Sequence, residues 1–323
     1  MARFVLHRLL QMVLLLLGVT VLTFAIVTLV PGSPVAHLAL NPRLRPETLE
    51  RIEQHLGLDK PWPVRYATWL GDVLRGDLGF SLANGTPVAD RILTVLPNTL
   101  LLTGTALAFA LLCAVPLGIA AAARRNTWFD RVVTVGSVAT FALPIFWLGL
   151  LLILIFAVKF REWGLPALPV GKTHDLRGDA NLLDRLKHLV LPAATLGLVQ
   201  LAGWTRYVRS ATLEALHQEY VVAARAKGLS ERDVLLRHAF RSALLPLVTL
   251  VGLAIPELFA GAVVTETLFA WNGLGRLTVQ AAQGNDHTLV MGTVLMLAAL
   301  TMLANLAADV AYALLDPRTR DER

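Results

Sequence analysis

LLQMVLLLLGVTVLTFAIVTLV, residues 9–30, contains no Asp, Glu, Lys or Arg, with Arg3 and Arg8 ahead of it and Pro31-Gly32 behind it. About 20 predominantly apolar residues suffice for a helix to cross the hydrocarbon core of a bilayer. The stretch therefore reads as a transmembrane helix that enters from the basic side. A secretory signal shares the basic start, but this run exceeds the h-region of about 7 to 15 residues and no A-x-A site follows it.

Five further apolar stretches follow at residues 100–122, 132–158, 189–208, 244–265 and 289–315, the second of them interrupted at Pro144. Six spans would put both ends of the chain on one side. Between the first two lies the polar, Pro- and Gly-punctuated segment 32–98, with amphipathic helical patterns at 46–56 and 63–74. The expected organisation is an N-terminal span (1–30), an external region (31–98), a five-helix core (99–315) and a tail (316–323). An inner loop at 210–243 interrupts the core.

Composition agrees. The 323 residues are 55% hydrophobic and 16% charged, well below the quarter or so of charged residues in an ordinary soluble domain. The net charge of +6 could suggest nucleic acid, but membrane proteins also collect Lys and Arg in cytoplasmic loops. On this topology the inner segments hold 15 basic residues and eight acids, whereas the outer loops hold 14 basic residues and are nearly neutral. Arg3, Arg8, Arg124, Arg125 and Arg131 flank the first three spans, which places both termini inside. The single Cys113 has no partner for a disulfide or for a cysteine metal site.

Two short patterns mislead. Val170-Gly171-Lys172-Thr173 resembles the end of a phosphate-binding loop, but Pro166 stands where that loop needs a glycine. Asn84-Gly85-Thr86 matches a glycosylation sequon, a pattern common by chance. The eight histidines show no metal spacing and there is no His-Glu-x-x-His pair. The sequence offers no catalytic, cofactor-binding or metal site, so any ATP hydrolysis belongs to another chain.

The segment ATLEALHQEYVVAARAKGLSERDVLLRHAFRSALLP, residues 211–246, carries the functional signal. Its first half is rich in good helix formers, and Gly228 follows Ala226-Lys227 as a residue just past a helix end would. Ser230 is placed to cap a second helix, with Asp233 three residues on. Two short helices meeting at a glycine corner would present Tyr220, Ala223, Ala224, Gly228 and Leu229 among arginines, as a surface that docks into a partner does. A solvated helical loop is the alternative.

EYVVAARAKGL, residues 219–229, resembles the cytoplasmic coupling loop of ABC importer permeases, in which Val222 replaces the first glutamate of the usual Glu-Ala-Ala. Other strings agree in order and spacing: FVLHRLLQ (4–11), VPGSP (30–34), GDLGFS (76–81), PIFWLG (144–149), ETLFAWNGLGRL (266–277) and LLDPRTR (314–320). Together they resemble the first permease subunit of the dipeptide and oligopeptide (peptide/nickel) transport branch. That resemblance implies an all-α, six-helix type I importer permease in the bacterial inner membrane. It further implies a second related permease subunit, two ATPase subunits that hold ATP and Mg, and an external solute-binding protein. Peptide, glutathione and metal-chelate members look alike at this level. A self-sufficient secondary transporter is the competing class, but no inverted repeat is visible.

Two acids fall within spans, where a carboxylate near the centre costs about 2.5 to 3.5 kcal/mol on insertion scales. Asp309 lies near the end of the last span, within reach of the interface. Glu257 is 11 residues beyond Pro246, roughly 16 Å along a helix. A place on the translocation path accounts for it, and a hydrogen-bonded packing role is the alternative.

Overall fold

Apolar runs this long form helices because a backbone in lipid must satisfy its hydrogen bonds within the segment. A computed structural model describes residues 2–29, 60–173 and 181–315. Its helices are α1 (Ala2–Leu29), α2 (Trp62–Leu74), α3 (Val88–Ala123), α4 (Trp128–Ala142), α5 (Ile145–Ile153), α6 (Leu182–Leu216), α7 (Glu219–Ala226), α8 (Phe240–Leu268), α9 (Leu274–Gln283) and α10 (His287–Leu315). A π-helical turn, Leu154–Lys159, extends α5, and another, Val234–Ala239, leads into α8. Among the described residues, five helices are long and apolar enough to cross a membrane. The α4–α5 pair makes a sixth if taken as one span.

Several boundaries differ from those expected. The third apolar stretch is no mere kink: α4 and α5 meet at 110° around Leu143 and Pro144. Pro144 has an extended backbone and begins α5 rather than bending a continuous helix. The helix read at 100–122 begins at Val88, because Val88, Ile92 and Val95 form an apolar face that Asp90 and Arg91 conceal from a hydropathy average. The helix read at 189–208 extends from 182 to 216, with the Asn181 side chain accepting from Asp184 N at 2.8 Å at its start. The helix read at 244–265 runs from 240 to 268 as α8. The segment read as the outer loop 266–288 contains α9, and the helix read at 63–74 is α2. The helical pattern at 46–56 and the tail 316–323 lie outside the described residues.

Contacts divide the chain into two units: Asn98–Asn272 with Thr301–Arg323, and Ala2–Pro97 with Gly273–Leu300. In the first, α6 is the hub. One core joins Leu102 and Ala106 to Leu189, Leu196, Leu258 and Trp271; another joins Ala110 and Ala114 to Trp204, Val208 and Ala254. Small residues let the helices approach, as is usual in membrane bundles. A Cβ on Gly197 would lie 2.7 Å from Phe109 Cδ1 and 2.8 Å from the Ala106 carbonyl oxygen, and one on Gly118 would lie 2.7 Å from Val208 Cβ. Gly197→Ala is therefore expected to destabilise by about 1 to 3 kcal/mol through overpacking, read as a lower unfolding temperature of the purified protein. Gly104→Ala, where a Cβ meets nothing within 4 Å, is the control. Equal melting of the two variants would refute the close approach.

In the second unit, Val88, Ile92 and Val95 pack on Leu274, Leu277, Ala281 and Leu289. Buried Asp286 fastens the turn at 81–83 to the start of α10. It accepts from Ser81 Oγ (2.5 Å), Leu82 N (3.1 Å), Ala83 N (3.4 Å) and Leu289 N (3.2 Å). The sequon at Asn84 is a turn here, with Asn84 Oδ1 accepting from Thr86 Oγ1 at 2.7 Å. α2 meets α1 through Tyr66 and Trp69 beside Phe24, and Thr20 Oγ1 hydrogen bonds with Tyr66 Oη at 2.9 Å. Much of α1 is exposed, including Leu10, Leu14 and Leu22, as suits a face turned to lipid.

Candidate functional site: the loop between α6 and α8

α6 ends at Leu216, two residues lead to α7, and α7 closes on the glycine corner. Gly228 has φ +78°, in the left-handed region. Gly228 N donates to the Arg225 carbonyl (2.9 Å) and Leu229 N to the Ala224 carbonyl (3.4 Å). That pair of bonds is the Schellman arrangement, which requires a left-handed residue at the position Gly228 holds. Ser230 caps the next turn as expected: its Oγ accepts from Asp233 N at 3.2 Å. Across the corner Arg225 grips Glu231 through two bonds of 2.9 and 3.1 Å and holds its carboxyl below the ordinary range.

The five residues read as a docking surface do not all face outward. Tyr220, Ala223, Gly228 and Leu229 are exposed, with Tyr220 at 43% and Leu229 at 41%. Ala224 is turned inward and is only 5% exposed, packed with Val221 and Val234 and flanked by Leu216. The expectation that Ala224 meets a partner is corrected on that point, because helical periodicity puts 221 and 224 on one face and 220 and 223 on the next. Val222, absent from the sequence reading as a surface residue, is 58% exposed, more than Tyr220 or Leu229. Tyr220, Val222, Ala223 and Leu229 are thus individually exposed on a loop whose own core is Val221, Ala224 and Val234.

Glu257 lies on α8 with its side chain exposed, and Gln200 Nε2 of α6 donates to its Oε2 at 3.3 Å. Asp309 is half-buried on α10. Sequence reasoning missed two polar clusters. Glu266, read as the start of an outer loop, is fully buried in the last turn of α8 and accepts from Thr99 Oγ1 at 2.7 Å. Beside it in sequence, Trp271 Nε1 donates to the Asn98 carbonyl (3.0 Å), while the Asn98 side chain donates to the Asn272 carbonyl and accepts from Arg185 (2.7 Å each). The second cluster is Asp130, buried at the start of α4, with Arg209 of α6. The guanidinium donates through Nε (2.5 Å) and Nη2 (2.8 Å), and Asn126 N adds a bond of 2.9 Å. Thr127-x-x-Asp130 is a capping-box spacing that could have signalled burial of Asp130. Arg209, 79 residues away, gave no such signal.

Long apolar helices packed through small-residue contacts define a polytopic membrane protein. Comparison with known proteins makes the class specific. Residues 114–321 match the family described as "Binding-protein-dependent transport system inner membrane component", and residues 1–103 match the N-terminal region of such membrane components. The chain is 40% identical over 98% of its length to the oligopeptide transport system permease protein AppB of Bacillus subtilis, covering 99% of that protein. It is 36% identical to the dipeptide transport system permease protein DppB of Escherichia coli K12 and 38% to the di/tripeptide transport system permease protein DppB of Pseudomonas aeruginosa, over the full length of each chain. The chain belongs to the family of inner-membrane permease components of binding-protein-dependent ABC importers.

Proposed function

We propose that this chain is the first of two paired permease subunits in an ATP-driven importer of small peptides. The observation that carries the coupling role is the corner at Gly228, where a Schellman turn and a private core hold Tyr220, Val222, Ala223 and Leu229 outward. Exposed apolar side chains on a solvated loop suit a partner's groove, and that partner is one of two ATPase subunits, on which ATP and Mg are held. A second, related permease completes the path and an external binding protein delivers the solute. The peptide substrate is supported by the likeness to oligopeptide, dipeptide and di/tripeptide permeases. No bond is made or broken on this chain: it binds, positions and moves.

The topology has both termini cytoplasmic, the region 31–98 external, and the loop 210–243 inside. Glu257 faces the path. In a Cys113→Ser background, Asp77→Cys should react with an impermeant maleimide added outside intact cells, and Arg320→Cys should react only after permeabilisation. The reverse pattern would overturn this orientation. The function itself is tested in liposomes holding both permeases and both ATPases, with binding protein outside and ATP at the inner-loop side. Labelled di- and tripeptides should accumulate, and failure with peptides alongside uptake of a metal chelate would reject the peptide reading.

A further inference from the structure

Five exposed residues form one stripe along α8: Leu253, Glu257, Ala260, Val264 and Thr267, at spacings of four, three, four and three. This is one face of a helix, and the opposite face, with Ala254, Leu258, Ala262 and Thr265, is buried within the chain. The uncovered face is aliphatic except for Thr267 at its end and a carboxylate near the middle of the span. A carboxylate there is costly against hydrocarbon, and ionisable groups at such depth turn to a water-filled path or to a charge of opposite sign. Gln200 Nε2 donates to Oε2 of Glu257 at 3.3 Å, and the same amide group carries a carbonyl acceptor.

We propose that Glu257, with Gln200 beside it, receives the free α-ammonium group of the transported peptide. This rests on the peptide-importer reading above. A primary ammonium offers three N–H donors, and the two carboxylate oxygens with the neighbouring amide carbonyl offer matching acceptors. Leu253, Ala260 and Val264 surround the carboxylate with aliphatic surface. They accommodate the first side chain through contact without hydrogen-bond readout, so the subsite reads the charge of the chain end and tolerates the sequence behind it. Exposure of Glu257 keeps the contact weak enough for the solute to leave.

The test uses the reconstituted complex and two tripeptides, one with a diazirine side chain on its first residue and one on its third. In wild type the first-position probe should crosslink within residues 253–264, and the third-position probe elsewhere. Glu257→Gln should assemble normally, lose the first-position crosslink and lower tripeptide uptake about tenfold or more, as expected when a charge-assisted contact becomes neutral. Gln200→Leu should weaken the same crosslink. Equal labelling of 253–264 by both probes, or wild-type uptake by Glu257→Gln, would overturn the assignment. So would loss of the second permease from purified Glu257→Gln complex, which would show that the carboxylate pairs with that subunit. If wild type takes up no peptide, the peptide reading itself falls; if wild type transports and Glu257→Gln does so equally, only this inference falls.

Discussion

In a complex carrying Val222→Asp, loaded binding protein is expected to leave ATP hydrolysis at its basal rate, although the permease inserts and its coupling loop stays folded. Val222 is 58% exposed on α7, so an acid costs the isolated loop little, within about 0.5 kcal/mol. Pressed into a partner's groove, the same acid would be buried without a counter-charge, which costs several kcal/mol. Ala224→Asp should also abolish stimulation, but by another route. That side chain belongs to the core of Val221 and Val234, so the loop itself should open and expose Arg225 and Lys227 to trypsin. Gly228→Val should resemble Ala224→Asp, because a β-branched residue reaches φ +78° only with strain. The contrast between trypsin-resistant Val222→Asp and trypsin-sensitive Ala224→Asp separates docking from folding. Full stimulation of Val222→Asp would mean that this patch does not meet the ATPase.

The second large effect is expected at the Asp130–Arg209 pair. The Asp130 side chain is 4% exposed and that of Arg209 23%, so removal of either strands a charge that is largely out of water. Such a break typically costs about 3 to 5 kcal/mol, whereas replacing both partners by apolar residues is often neutral. Asp130→Leu and Arg209→Met singly should lower the unfolding temperature of the purified permease markedly, and together much less. If the double variant melts at the sum of the single losses, the two groups do not act as a pair. The consequence extends to the loop that carries α7, since Arg209 lies two turns before the end of α6, to which that loop is attached.

Much of this architecture was legible because lipid imposes long, charge-poor helices, a signal that survives averaging over about 20 residues. Gly228 and the Ser230 cap were legible for a related reason: a left-handed residue and an N-cap have local chemical signatures. What escaped is non-local. Ala224 could not be assigned inward until α7 had a defined rotation against Val234. Glu266 looked like loop because hydropathy registers its charge and not Thr99, 167 residues away in sequence. Val88, Ile92 and Val95 looked polar on average because their covering partners, Leu274 and Leu277, arrive much later in the chain.

That lateness sets an order of events. Asp286 holds Ser81, from which it is separated by 205 residues, and the core around Ile92 is closed by α9 and the start of α10. At about 5 to 20 residues per second of synthesis, the segment around Ser81 waits roughly 10 to 40 seconds for its anchor. During that interval Val88, Ile92 and Val95 at the start of α3 have one apolar face unmet. A ribosome stalled before residue 273 would release a chain that is inserted yet unfinished, with the face at Val88 and Ile92 open to quality-control proteases. The second unit is thus closed only by the last helices to be made.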